Sequence, residues 1–279
     1  MTFIQAIERR ISCRTYRQLP LEPEMIEGLA QALLSNTKGP FGSRVRFALI
    51  RSDRLGRTEL RPPGTYGVIK GARQFIAGAV LDNPRAMEDY GYCMEKTILA
   101  ATAMGLGTCW LGGTFHRTGF AGRMNLAEGE LLPAVSPVGY ASDQRSLRER
   151  VFRFGAGSDR RKPWEDLFYE RGIVTPLTKD SAGRYATPLE CVRIAPSAAN
   201  KQPWRIIRDR GAYHLYLKRT PGYDRIFAPI RIQNIDMGIA MCHFELSARE
   251  TGLDGGWTVE APGIPSGDLE YRVSWIATS

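Results

Sequence analysis

The chain has 279 residues, 43% hydrophobic and 24% charged, with a formal net charge of +9. That length exceeds the roughly 100 to 200 residues of a common domain, so one large core or two packed units are expected. No run approaches the roughly 18 uninterrupted apolar residues of a membrane span. Cys13, Cys93, Cys109, Cys191 and Cys242 are scattered, form no C-x-x-C pair and have only three histidines to assist them. This argues against a metal site or a disulfide framework and for a reducing, cytoplasmic setting. Glu8, Arg9 and Arg10 have no apolar stretch behind them, so no secretory leader is expected. Lys and Arg are spread from Arg9 to Arg272 without an aromatic-plus-basic RNA motif or a helix-turn-helix signature. The positive balance suits an anionic nucleotide ligand, and neither a nucleic-acid nor a membrane partner is expected.

Ile4, Ile7 and Ile11 recur at three- and four-residue spacing and mark an amphipathic first helix, whose end presents Ser12 and Arg14. Pro23 opens a second helix, with Met25, Ile26, Leu29, Ala32 and Leu33 on one side and a stop near Ser35 and Asn36. Residues 46–50 read as a buried strand. A Pro/Gly-rich loop at 61–67 precedes an apolar strand at 74–81. Residues 84–104 form a helix apolar on several sides, which belongs in the middle of the molecule, and its Met and aromatic stripe reads as core. Gly105 and Gly107 suit a tight helix-to-strand turn. Gly112 and Gly113 lack Cβ atoms, so the backbone there admits a close approach that the helix-to-strand turn does not explain. Residues 131–140 read as a strand. A connector at 142–162 carries seven basic residues, among them Arg160, Arg161 and Lys162, and on its charge alone reads as a solvated linker.

Residues 163–168 read as a short helix, and 186–194 as a helix that delivers the turn Pro196-Ser197-Ala198-Ala199-Asn200-Lys201-Gln202-Pro203-Trp204. Such small polar residues leave backbone amides and side chains free to bond a ligand. Strands are expected at 204–207, 213–217 and 269–276, with a second long core helix at 232–251. That helix ends in Thr251-Gly252-Leu253-Asp254-Gly255-Gly256-Trp257, an echo of Met104-Gly105-Leu106-Gly107-Thr108-Cys109-Trp110. Helix, strand, loop, strand, long helix, Gly-Leu turn and strand therefore occur twice, the signature of an internal repeat.

Two of these stretches together resemble the nitroreductase family of flavin enzymes. Arg10, Ser12, Arg14 and Tyr16 match an Arg-x-Ser-x-Arg/Lys-x-aromatic signature that holds flavin mononucleotide (FMN) in that family. Pro196, Ser197, Asn200, Gln202, Pro203 and Trp204 match a signature that closes the same site from the other subunit of a dimer. The 105–113 stretch is similar to the family strand that passes the flavin ring and bonds its N5 through a backbone amide. With both signatures on one chain, the resemblance implies a single-chain pseudo-dimer. Its fold would be α+β, nitroreductase-like, with two tandem α/β repeats at 1–155 and 156–279, mainly antiparallel sheets and long central helices. The first half lacks a good Pro-Ser-x-x-Asn and the second lacks the arginine signature, so one complete site, and one FMN per chain, is expected.

The resemblance further implies that Arg10, Arg161 and Ser12 hold the phosphate. It places Arg14 at the N1/O2 edge, where a fixed cation favours the reduced flavin. Ser197 and Asn200 would bond the polar edge and side chain of the flavin, Pro196 would pack on the ring, and Thr65 or Lys70 would reach the ribityl chain. The backbone at Gly112 and Gly113 would support N5. No catalytic side chain is required, because the flavin carries the chemistry, and His116 and Cys109 read as packing or loop residues. The implied function is an FMN-dependent NAD(P)H oxidoreductase. NADH or NADPH would deliver hydride to N5, and a small-molecule acceptor, a nitroaromatic or a quinone, would then take its place in a ping-pong cycle. Alternatives on the same fold are a dehydrogenase of cyclised peptides, a reductive dehalogenase, a flavin-cleaving enzyme, or a flavin-binding module without turnover. The chain would act as a monomer, with further assembly left open.

Overall fold

The computed structural model describes residues 1–51, 69–113, 115–142 and 160–278. Helix α1 (Phe3–Arg9) starts in a capping box, in which Thr2 Oγ1 accepts the Gln5 N–H while the Gln5 side chain accepts the Thr2 N–H, each at 3.2 Å. It ends earlier than the isoleucine spacing predicts. Arg10 turns extended and Ile11 is 53% exposed. The next residues lie along a strand instead: Ser12 bridges Thr108, and the Cys13 N–H donates to the Thr108 carbonyl at 2.8 Å. Helix α2 (Pro23–Ser35) has proline in its first turn and buries Leu29, Ala32 and Leu33.

The first sheet contains β1 (Val45–Arg51), β2 (Gln74–Leu81), β3 (Gly107–Thr108), β4 (Glu130–Leu131) and β5 (Val135–Gly139). Its order is β1-β2-β5-β3, antiparallel throughout, with β4 also pairing β2. The strand expected over 131–140 is split, and Pro133, which has no N–H to give a ladder, sits in the break. Helix α3 (Ala86–Ala103) is the first long helix. Helix α4 (Arg117–Met124) escapes the sequence reading because two of its eight residues are glycine. It is held by Phe120, whose ring meets Phe75 and Phe115 at centroid distances of 5.4 and 5.7 Å.

The second sheet contains β6 (Phe168–Glu170), β7 (Trp204–Asp209), β8 (Ala212–Leu217), β9 (Gly255–Thr258) and β10 (Glu270–Ala277). Its order is β6-β7-β8-β10-β9, antiparallel except for the parallel β6–β7 pair. The helix expected at 163–168 is a single 3-10 turn, Trp164–Asp166. Pairing wins over local propensity there: the Leu167 carbonyl accepts the Ile206 N–H at 2.8 Å, and Phe168 aligns with Ile206. Short helices α5 (Lys179–Ala182), α6 (Ala186–Arg193) and α7 (Tyr223–Phe227) lead to α8 (Ile232–Glu250), the second long helix.

Helices α3 and α8 cross at backbone contact. A Cβ added to Gly91 would collide with the Ile235 carbonyl, and one added to Gly238 would collide with the Glu88 carbonyl. Each helix closes on a left-handed glycine, Gly105 at φ +79 and Gly252 at φ +71. In both, the next leucine donates back into the last turn at 2.9 Å, Leu106 to Ala101 and Leu253 to Ala248. Among the described residues, no helix is long and apolar enough to cross a membrane, and no group of acidic, His or Cys side chains is placed to hold a metal.

Candidate functional site

A cavity of about 610 Å³ opens between α8 and the segment that follows α1, within the roughly 300 to 1,000 Å³ of small-molecule sites. One wall is cationic, with Arg10, Arg14 and Arg161. Another is apolar, with Ile232, Ile235 and Ile239 from α8 and Tyr223 and Phe227 from α7. Arg10, Ser12, Arg14, Gly112, Gly113, Arg161, Pro196, Ser197 and Asn200, chosen from sequence, all line it. Thr65 lies outside the described residues. Lys70 pairs its backbone with Arg14 and Tyr16 and does not line the cavity.

Arg10 and Arg14 are each only 7% exposed. The chain from Ser12 onward is pinned along β3, and the Tyr16 hydroxyl fixes the bend by donating to the Cys13 carbonyl at 2.7 Å. Behind Arg10 stands Glu95, fully buried on α3, with its Oε1 at 3.7 Å from the arginine Nε. Glu95 also accepts from Trp110 Nε1 at 2.6 Å and meets His243 Nε2 at 2.9 Å. His243 Nδ1 lies 2.9 Å from the Cys191 carbonyl, which can only accept, so that nitrogen carries a proton. Burial alone would raise the Glu95 carboxyl. The bond and charge of His243, the charge of Arg10 and the Trp110 bond outweigh it and hold the carboxyl below its ordinary value. Among the described residues, Glu95 leaves Arg10 Nη1 with no hydrogen-bond partner. A buried guanidinium N–H without an acceptor is what an anionic ligand group would complete.

The turn before β7 is strained. Ala199, Asn200 and Gln202 have φ of +46, +54 and +47, a region L-residues rarely visit and that clusters at ligand sites. Ser197 Oγ accepts the Gln202 N–H at 2.9 Å. The Asn200 and Gln202 side chains reach the end of the connector: Arg161 Nη1 donates to Asn200 Oδ1 at 2.6 Å, Asn200 Nδ2 to the Arg160 carbonyl at 2.7 Å, and the Lys162 N–H to Gln202 Oε1 at 2.8 Å. These bonds carry Arg161 to the cavity. Gly112 and Gly113 are pressed from above, since an added Cβ at Gly112 would come within 2.5 Å of Ile232 Cδ1 and one at Gly113 would collide with Phe227.

Asp236 was not found from sequence, where it stands between Ile235 and Met237 in an apolar helix. It lines the cavity, and its only signal in the sequence is an acid set among apolar residues in the helix's first half. Its Oδ1 accepts the Ala198 N–H at 3.0 Å, and its Oδ2 has no partner among the described residues. Burial pushes its carboxyl up to about 8, which the Ala198 amide only partly offsets. Asp89 stands as far before Gly105 as Asp236 does before Gly252. Both its oxygens are bonded at 2.8 Å, by the amides of Phe41 and Ser43.

Two five-stranded sheets and a crossed helix pair, with a cavity walled by arginines beside that pair, make the described residues an α+β protein. Residues 2–248 match the family described as "Putative TM nitroreductase", and the chain belongs to that family. A nitroreductase structure from Thermotoga maritima is 19% identical, with a TM-score of 0.62 over 99% of this chain and 94% of that one. A nitroreductase with bound FMN from Desulfitobacterium hafniense is 18% identical, with a TM-score of 0.43, covering 52% of this chain and 92% of that one. Another in complex with FMN, from Desulfovibrio desulfuricans, is 24% identical, with a TM-score of 0.41, covering 53% and 94%. A comparison with curated proteins gives no match.

Proposed function

We propose that this chain is an FMN-dependent NAD(P)H oxidoreductase, working in a reducing cytoplasm on a small-molecule acceptor. The observation that carries the reading is the buried Arg10, whose Nη1 has no partner among the described residues, at a cavity it shares with Arg14, Arg161, the Ser197 turn and the Gly112–Gly113 backbone. Arg10 and Arg161, with Ser12, would hold the phosphate, and Arg14 would face the electron-accepting edge of the ring. Gly112 and Gly113 would let the backbone approach the ring, with Pro196 packed against it. When bound, the flavin would supply the redox chemistry, taking hydride from NADH or NADPH and passing it to a nitroaromatic or quinone in a ping-pong cycle.

The reading includes a single-chain pseudo-dimer of repeats 1–155 and 156–279, acting as a monomer. Three observations support it: the matching strand orders β1-β2-β5-β3 and β7-β8-β10-β9, the reciprocal glycine contacts of α3 and α8, and their identical closing turns. Only one FMN is proposed per chain, because the loop ahead of β1 folds onto Asp89 and takes both its oxygens. The test is an anaerobic absorbance titration of the FMN-loaded protein with NADH and NADPH. Bleaching of the flavin band, reversed by a quinone or nitroaromatic, is expected. Bound flavin that neither nicotinamide reduces would favour a dehydrogenase, dehalogenase or non-catalytic binding role, and protein that binds no flavin would contradict the reading.

A further inference from the structure

Among the described residues lining the cavity, Asp236 alone is acidic. It is 3% exposed and flanked on its own helix by Ile232, Ile235 and Ile239, and no salt bridge reaches it among the described residues. One oxygen is used by the Ala198 amide and the other by none of the described residues. The contrast with Asp89 is direct, since both oxygens of that carboxylate are met by backbone amides. A carboxyl buried without a cation against it is most stable with its proton on. The carboxylic acid then has an O–H to donate, and a flavin ring offers carbonyl oxygens and ring nitrogens as acceptors.

We infer that Asp236 donates a hydrogen bond from Oδ2 to the flavin held in this cavity, so that flavin affinity depends on that single proton. The inference rests on the FMN reading given above. Among the described residues, the titratable and charged groups around Asp236 are few. Tyr223 on α7 is raised by its own burial and by the like charge of Asp236. Arg10, Arg14 and Arg161 line the facing wall, and Lys201 follows the 196–200 turn. Glu88 and Tyr92 on α3 have backbone atoms against Gly238, and Glu88 is engaged by Asn234 and Arg272. Helix α6 meets α8 two turns further on, at His243.

The sign follows from linkage. Below about pH 8 the acid keeps its proton and binding is at full strength; above it the proton is lost, the donor with it, and a buried charge faces the acceptor. The experiment titrates the protein, stripped of flavin, with FMN by fluorescence quenching from about pH 7 to about pH 9.5, where the FMN phosphate is already close to a dianion. Wild type should show constant affinity up to about pH 8 and then a fall approaching tenfold per pH unit. Asp236→Asn, which keeps an N–H donor and cannot ionise, should be flat across the range. An unchanged slope in Asp236→Asn would assign the titration to Tyr223 or to the flavin and overturn the inference, as would a flat or rising affinity in wild type. If neither protein binds FMN at any pH, the flavin reading fails and this role falls with it. Should the variant not fold, the carboxyl ¹³C resonance of Asp236 in wild type decides. By reciprocity its midpoint must move to higher pH when FMN is added, and an unmoved midpoint overturns the inference.

Discussion

Glu95 sits at 3.7 Å from Arg10, takes the Trp110 indole N–H and meets His243, so one buried carboxyl on α3 ties the cationic wall of the cavity to the second long helix. Asp236, across the cavity, has no such company, and its pH behaviour is opposite. Folding raises its carboxyl from an ordinary value of 3.8 to about 8. Between those values the folded chain holds a proton that the unfolded chain has released, so stability is fully present below the lower value and declines as pH rises, by about 1.4 kcal/mol per pH unit, until the higher one is passed. Asp236→Asn is therefore expected to gain stability relative to wild type between about pH 5 and about pH 8, read from urea unfolding at each pH. A difference that does not grow with pH would contradict this. At this scale the arginine and Pro-Ser-x-x-Asn motifs were legible because their residues are close in sequence and of unusual type. Asp236 was not, because what distinguishes it is a missing partner, which only the packing of Ala198 and α8 reveals.

Helices α3 and α8 were legible as elements. Each is a long apolar run closed by a Gly-Leu turn, and no alternative structure buries so many consecutive faces. The site of their crossing was not, because Gly91 and Gly238 look like ordinary helix-weakening glycines until the facing carbonyls of Ile235 and Glu88 are seen. Gly238→Ala should cost at least about 2 to 3 kcal/mol, since the new Cβ meets backbone that cannot rotate away. Gly122→Ala on α4, where an added Cβ meets nothing, should instead gain about 0.5 to 1 kcal/mol. Thermal or denaturant unfolding of the two variants checks the contrast, and equal effects would contradict the close crossing. Elements set by distant partners were misread: β6 forms because β7 pairs with it, and the 131–140 stretch breaks at Pro133. Helix α4 exists because Phe120 has Phe75 and Phe115 to meet, against its own glycine content.

Over the whole molecule, the strand order β1-β2-β5-β3 recurs as β7-β8-β10-β9, and the long helices cross through reciprocal glycine contacts. Beside the helix pair, the surroundings of Asp236 and of Asp89 differ. Near Asp236 lies a cavity of about 610 Å³ with three arginines on its wall. Near Asp89 the loop ahead of β1 folds in, and Arg85 lies over the ring of Phe41 at 5.2 Å. The central claim is that one flavin site is built from both halves of one chain. Isothermal titration of flavin-free protein with FMN, on chain whose mass in solution is known, tests it most directly. The account predicts one FMN per chain in wild type, with binding weakened about tenfold or more in Arg10→Ala as a charge-assisted bond is lost. Two FMN per chain, or saturable binding indifferent to Arg10, would contradict it.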